Sequence, residues 1–272
     1  MRARPLILRR NIMMAAALAL GTSGRGARAD SPAASDPWPS LAEQIFDGHP
    51  IGDGGKIIGI DAPYRAEDAA VVPIKLQTLL PEDRQRVEQI TLVIDQNPSP
   101  LAAQFLLGKN SGIRTISTRV RVDSYTNVHA VAGLADGSLV ATARYVKAAG
   151  GCSAPAAKQE ADAIPLGTMR FRQLPTPQPD GRKEAQLLIR HPNYSGMQMD
   201  QLTRLYVPAH FVASVRIWQG DDILLSVESG ISISENPEFR FDYRPNGAAD
   251  FHAEVHDSEG KIFKDSWSVA RA

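Results

Sequence analysis

The sequence predicts an all-β protein. Three observations carry that expectation. Apolar and polar residues alternate with period two, as in Ile116, Thr118, Val120 and Val122 against Ser117, Arg119 and Arg121, which gives one apolar face and one wet face. Turn signals such as Asp136-Gly137 and Asn246-Gly247 separate the alternating runs. The chain carries 19 prolines and 21 glycines, enough for many turns, and strand–helix alternation is absent, which argues against a parallel α/β sheet.

Taken in order, residues 30–40 read as a Ser/Ala/Pro lead-in. Ser40 as N-cap with Glu43 three residues on predicts a short amphipathic helix over Leu41–Phe46. Ile90–Ile94 reads as a buried strand, and Leu101–Leu107 is compatible with helix or strand. Val128–Leu134 and Leu139–Val146 form a predicted hairpin around Asp136-Gly137. The pattern then breaks over Ala148–Asp162, which is Ala, Gly, Ser, Pro and charge, so a domain boundary is expected within 147–166. Beyond it, Leu187–Arg190, Phe211–Trp218, Ile223–Val227, Phe239–Tyr243, Phe251–Val255 and Lys261–Val269 read as strands. Short strands at this spacing predict β-sandwiches of immunoglobulin-like kind. The expected architecture is two such domains, 38–152 and 171–272, joined by a Gly/Ala/Pro linker over 153–170 and contacting each other within the chain.

Composition limits the function. The chain is 43% hydrophobic and 22% charged, hence globular. Its formal charge of zero hides an asymmetry: residues 1–29 carry six arginines and no acid, so the rest has 24 basic and 30 acidic side chains, a net charge of −6. That sign argues against nucleic acid as a partner. Residues 1–29 read as a signal peptide: arginines, the apolar run Ile12–Leu20, then Ala27-Arg28-Ala29. The run is too short to span a bilayer, so no membrane insertion is expected. Arg9-Arg10 leaves both the general secretory and the twin-arginine routes open. The expected location is the periplasm.

An exported protein normally uses cysteines in pairs. This chain has one, Cys152, which implies intermolecular pairing or a reactive free thiol. It lies in Ala148-Ala149-Gly150-Gly151-Cys152-Ser153-Ala154-Pro155, with no bulky neighbour, so an exposed thiol on a flexible arm at Gly150 and Gly151 is expected. No dinucleotide fingerprint, phosphate loop or nucleophile elbow occurs. The histidines are scattered; His252 and His256 share a strand face two pleats apart, and no metal or other cofactor is expected. A cysteine hydrolase would need a positioned base, for which His129 or His191 are the candidates. A mobile thiol suits the transport of a covalent adduct instead.

These residues resemble the SoxY–SoxZ sulfur carrier family of periplasmic thiosulfate oxidation. Residues 41–152 resemble SoxY in the Asn97-Pro98 turn and the arm at Gly150-Gly151-Cys152. Residues 184–269 resemble SoxZ in Arg190-His191-Pro192, Val207-Pro208-Ala209-His210-Phe211, Ile233-Ser234-Glu235-Asn236-Pro237 and the turn from Asp257 to Gly260. The fused arrangement is similar to SoxYZ-like carriers associated with quinoprotein dehydrogenases. The resemblance implies a carrier rather than an enzyme, with Cys152 as the covalent attachment point. Its implied partners are periplasmic redox or sulfur-transfer enzymes, a quinoprotein dehydrogenase among the candidates. His191 and His210 match family positions and are read as holding loops by hydrogen bonds. The alternative is an accessory binding module of a dehydrogenase, with Cys152 incidental. Two departures stand out: Ser153-Ala154-Pro155 follows the thiol where the family has glycines and a chain end, and the thiol is tethered on both sides.

Overall fold

The computed structural model describes residues 36–80, 86–155, 164–175 and 180–269; the expected leader and the middle of the expected linker, 156–163, lie outside them. The first half supplies β1 (Ile51–Asp53), β2 (Ile58–Asp61), β3 (Val72–Thr78), β4 (Val87–Ile94), β5 (Leu101–Leu107), β6 (Thr115–Val120), β7 (Thr126–Leu134) and β8 (Leu139–Val146). The second half supplies β9 (Met169–Leu174), β10 (Lys183–Ile189), β11 (Val212–Gln219), β12 (Asp222–Ser229), β13 (Glu238–Tyr243), β14 (Asp250–Asp257) and β15 (Ile262–Ser268). The all-β expectation holds, and Leu101–Leu107 is a strand.

The strands form two sheets. The nine-stranded sheet runs β1-β8-β7-β4-β5-β12-β11-β14-β15, and the six-stranded sheet runs β2-β3-β6-β13-β10-β9. Each half contributes to both sheets, and both sheets continue across the junction between the halves. In the large sheet β5 pairs antiparallel with β12, setting Phe105 opposite Val227. In the small sheet β6 pairs with β13, setting Ile116 opposite Phe241. The halves are therefore joined by two hydrogen-bonded seams as well as by the chain.

The alternation in sequence is what builds the core. On β3, Val72, Ile74 and Leu76 point inward while Pro73, Lys75 and Gln77 are exposed. On β14, Phe251, Ala253 and Val255 do the same. Aromatic rings lock the two sheets together. Phe105 of β5 meets Phe239 of β13 edge-on at 6.3 Å, across both the sheets and the halves. Phe171 of β9 and Tyr243 of β13 lie 4.6 and 5.5 Å from Phe251 of β14. These spacings are those of favourable aromatic pairs.

One helix, α1 (Trp38–Ile45), covers part of the large sheet by stacking Trp38 on His129 of β7 at 3.7 Å. Its start corrects the sequence reading. Ser40 is not the N-cap; the helix begins after Pro37 with no side-chain cap, and Pro39 in the first turn supplies a preset helical φ instead.

Phe241 is fully buried on a seam strand. Phe241→Ala is expected to cost about 3–5 kcal/mol. Trp38 reports on the first half and Trp218 and Trp267 on the second. In urea their signals should move together in one transition, and the variant should shift both to lower denaturant. Two separated transitions would show that the seams do not couple the halves.

Candidate functional site

The site forms where β6 leaves its sheet. Beyond Val120 the backbone keeps bonding on both sides. On one side Arg121 N–H donates to Ser232 O (2.7 Å), in the second half. On the other, towards its own half, Val122 N–H donates to Ala69 O (2.8 Å), Gly150 N–H to Asp123 O (2.8 Å) and Gly151 N–H to Val122 O (3.0 Å). Asn97 clamps this crossing: its amide donates to Arg121 O (2.7 Å) and Ser232 Oγ (3.0 Å), and its Oδ1 accepts from Asp123 N–H (2.9 Å). The Asn97-Pro98 turn thus ties the first half to the second.

Segment 147–152 is seated in this crossing, which corrects two expectations. Cys152 is fully buried, not exposed. Gly150 and Gly151 are pinned by the hydrogen bonds above, so they do not form a free arm. The reason lies in packing. A Cβ on Gly151 would stand 2.0 Å from Ala69 O and 2.7 Å from Val122 O, so only glycine allows the chain to approach this closely. Gly150 takes φ +78°, where side chains are strained.

The second half closes over the thiol. Ser195 Oγ donates to Cys152 O in a short hydrogen bond. Arg121 reaches between the halves: Nη1 donates to Gly151 O (3.2 Å) and Nη2 to Asn193 O (3.4 Å). Alternation along β6 places Arg121 on the wet face, yet it is 1% exposed, with the main chain at Gly151 and Asn193 meeting its guanidinium. Burial pushes the Cys152 thiol up to about 11, Asp123 adds to the rise, and the Arg121 cation opposes it. Burial likewise lowers Arg121, against the pull of Glu235, Cys152 and Asp68.

Asn193 links this site to a second cluster. Its own φ is +45°. Its side chain bonds Ile233 O (3.2 Å) and Val212 N–H (3.0 Å), and its N–H donates to His191 Nδ1 (3.1 Å). His191, His210 and Asp257 bring three ligand-type atoms within 4.8 Å of one another. Such a set is compatible in composition with zinc, but the hydrogen bond from Asn193 occupies the Nδ1 lone pair of His191. The ring proton of neutral His191 then sits on Nε2, the atom a metal would need. Nε2 has no hydrogen-bond partner among the described residues and stands 3.8 Å from Asp257 Oδ2. His210 Nε2 bonds Asp257 at 2.8 Å, and Asp257 also accepts from the backbone of Glu259 and Lys261. Burial, and then the neighbouring His210, push His191 down to about 4. Burial alone would raise Asp257, but its hydrogen bonds from His210, Lys261 and Glu259 outweigh that and hold it low.

His129, His252 and His256 make their contacts elsewhere. His129 bonds Asp95 (2.9 Å) under Trp38, His252 stacks on Trp218 (4.8 Å), and His256 bonds Glu254 (2.6 Å), so His252 and His256 do not converge. The sequence reading did not single out Arg121, Ser195 or Asn193. Only the covering of one strand end by two distant segments makes them part of the site, and no local pattern encodes that.

Residues 42–152 match the family model of sulfur oxidation protein SoxY, and residues 171–268 match that of sulphur oxidation protein SoxZ. The first match ends on Cys152. No curated protein gave a match. Two solved structures, both variants of superoxide reductase (neelaredoxin) from Ignicoccus hospitalis, are similar over 40% of this chain at 13% and 9% identity. They are covered to 90% and 86% of their own length, with a TM-score of 0.30 each.

Gly151→Ala should unseat segment 147–152 and speed modification of Cys152 by an aromatic disulfide reagent, about tenfold for each ~1.4 kcal/mol of closure lost. A rate equal to wild type would show that the close approach does not hold the thiol shut. The His191 cluster should set an acid limit. The unfolded imidazole titrates near 6.5 and the folded one near 4, so below 6.5 the unfolded chain binds a proton that the fold refuses. Stability is complete above pH 6.5 and should fall towards pH 4 by on the order of 3 kcal/mol; Asp257, held low, acts in the same sense. Urea midpoints measured from pH 7 to 4 should flatten in His191→Gln.

Proposed function

Because the chain joins a SoxY-family half to a SoxZ-family half, we propose that it is a periplasmic sulfur carrier in one polypeptide, holding a sulfur-containing adduct on Cys152 for other enzymes. The observation that carries this reading is the place of its only cysteine. Cys152 ends the SoxY-matching segment and lies beneath the SoxZ-matching half. The groups acting on the thiol are Asp123 and Arg121, neither of which is the imidazole base a cysteine hydrolase would use. The protein therefore presents its thiol as a substrate to partner enzymes of sulfur oxidation, a quinoprotein dehydrogenase system being one candidate, and has no catalysis of its own. The leader-like residues 1–29 support export to the periplasm.

The chemistry sets a requirement. Only the thiolate attacks sulfur, and a thiol held near 11 is almost wholly protonated at neutral pH. Loading requires residues 147–155 to leave their seat, where hydration returns the thiol towards its ordinary value. In the open form the thiolate attacks a sulfenyl sulfur, a new S–S bond forms, and the displaced sulfur leaves with the electron pair. Reclosure buries the adduct away from adventitious thiols. Burial equally motivates the second reading, an accessory module in which Cys152 only packs.

Intact mass of the protein isolated from its host, before and after reductant, separates the two. A reducible added mass on Cys152, absent from a folded Cys152→Ser variant, is the carrier's expected signature. An unmodified thiol that stays unmodified with thiosulfate-derived or polysulfide donors, together with full function of Cys152→Ser, would leave the accessory module.

A further inference from the structure

We infer that Arg121 receives the negative end of whatever Cys152 carries, so that the site selects anionic adducts over neutral ones. The inference rests on the carrier reading above and assigns its selectivity to one side chain. Arg121 is 1% exposed, which is a costly place for a guanidinium unless an anion or a full set of acceptors meets it. Its hydrogen bonds go to two neutral carbonyls, Gly151 O and Asn193 O, at 3.2 and 3.4 Å, the second long for a charged donor. Nε is buried with no partner among the described residues. Glu235, Cys152 and Asp68 act on Arg121 through space. Among the described residues the guanidinium thus hydrogen-bonds only neutral acceptors, one of them the carbonyl next to Cys152.

The unloaded thiol is neutral and gives Arg121 no counter-charge. An adduct that ends in an oxyanion changes that balance. A terminal sulfonate carries a permanent negative charge and several acceptor oxygens, and a guanidinium matches such a group with two parallel donors. The carbonyl of Gly151 already holds Nη1 one residue from the sulfur, so the adduct grows from Cys152 into the guanidinium's reach. Loading then supplies an anion within the guanidinium's hydrogen-bonding reach, and the closed form holds a charged cargo more firmly than a neutral one. Ser195 and Asn193, which belong to the second half, hold the main chain around this pair, so the selectivity depends on both halves.

The test uses two adducts that differ in their terminal group. With tetrathionate the Cys152 thiolate attacks an inner sulfur, thiosulfate leaves, and Cys152 becomes S–S–SO3−. With methyl methanethiosulfonate the thiolate attacks the methylthio sulfur, methanesulfinate leaves, and Cys152 becomes S–S–CH3. Both loadings are confirmed by intact mass. In the wild-type protein the sulfonate form should melt roughly 3 °C or more above the methyl form. Its removal by dithiothreitol, normalised to the same adduct in urea-unfolded chain, should be slower by about tenfold or more. Arg121→Met should abolish both differences, and Arg121→Lys should keep part of them.

A sulfonate form that melts no higher than the methyl form in wild type overturns the inference without any variant, so a variant that fails to fold cannot shelter it. Equal protection ratios in wild type and Arg121→Met also overturn it while the carrier reading stands. If folded protein takes up neither adduct while unfolded chain takes up both, the carrier reading fails and the inference falls with it.

Discussion

Four residues of backbone, Val120 to Asp123, bond in two directions. Towards the second half, Val120 bridges to Ile233 and Arg121 N–H donates to Ser232 O. Towards its own half, Val122 accepts from Gly151 and donates to Ala69. Each bond contributes on the order of 1 kcal/mol net, but leaving any of these buried groups unmade would cost more. The crossing therefore stands or falls as a unit. It closes the seam, seats the thiol segment and fixes Arg121 between the halves. Asn97, buried at its centre, satisfies Arg121 O and Asp123 N–H with one amide.

This arrangement sets the thiol's chemistry by exclusion of water. Burial raises Cys152 more than Arg121 lowers it, so the closed form protects the sulfur and does not activate it. In the proposed carrier role, reactivity belongs to an opened form. What opens is a short stretch held by a few backbone hydrogen bonds and one glycine contact, and local opening of such a segment costs less than unfolding the sheets.

Much of the fold could be read in the sequence, because water on one side of a strand imposes alternation. β6, β11, β13 and β14 are visible in that way, and β7 and β8 through the Asp136-Gly137 turn between them. β5 was ambiguous because Ala102 and Ala103 are both buried, which breaks the period. β3 escaped notice because Pro73 interrupts it. The structure tolerates that proline because β2 pairs only with Lys75–Thr78, leaving Pro73 without a neighbour on one side. The site was half legible. Cys152 stood out by its solitude, but its small neighbours were read as freedom when they are a condition of close approach. Glycine serves both ends, and the atom that decides between them is Ala69 O, 82 positions away in sequence from Gly151. The same covering hid Arg121, which its strand pattern placed in water.

The two seams lie within one covalent chain. Pairing of β5 with β12 and of β6 with β13 is consequently a unimolecular event, governed by an effective concentration and not by the amount of protein present. Dilution cannot part the halves, and one half can never outnumber the other. A compartment open to its surroundings, where a two-chain assembly would dissociate as it thins out, leaves the thiol of this protein beneath the same cover.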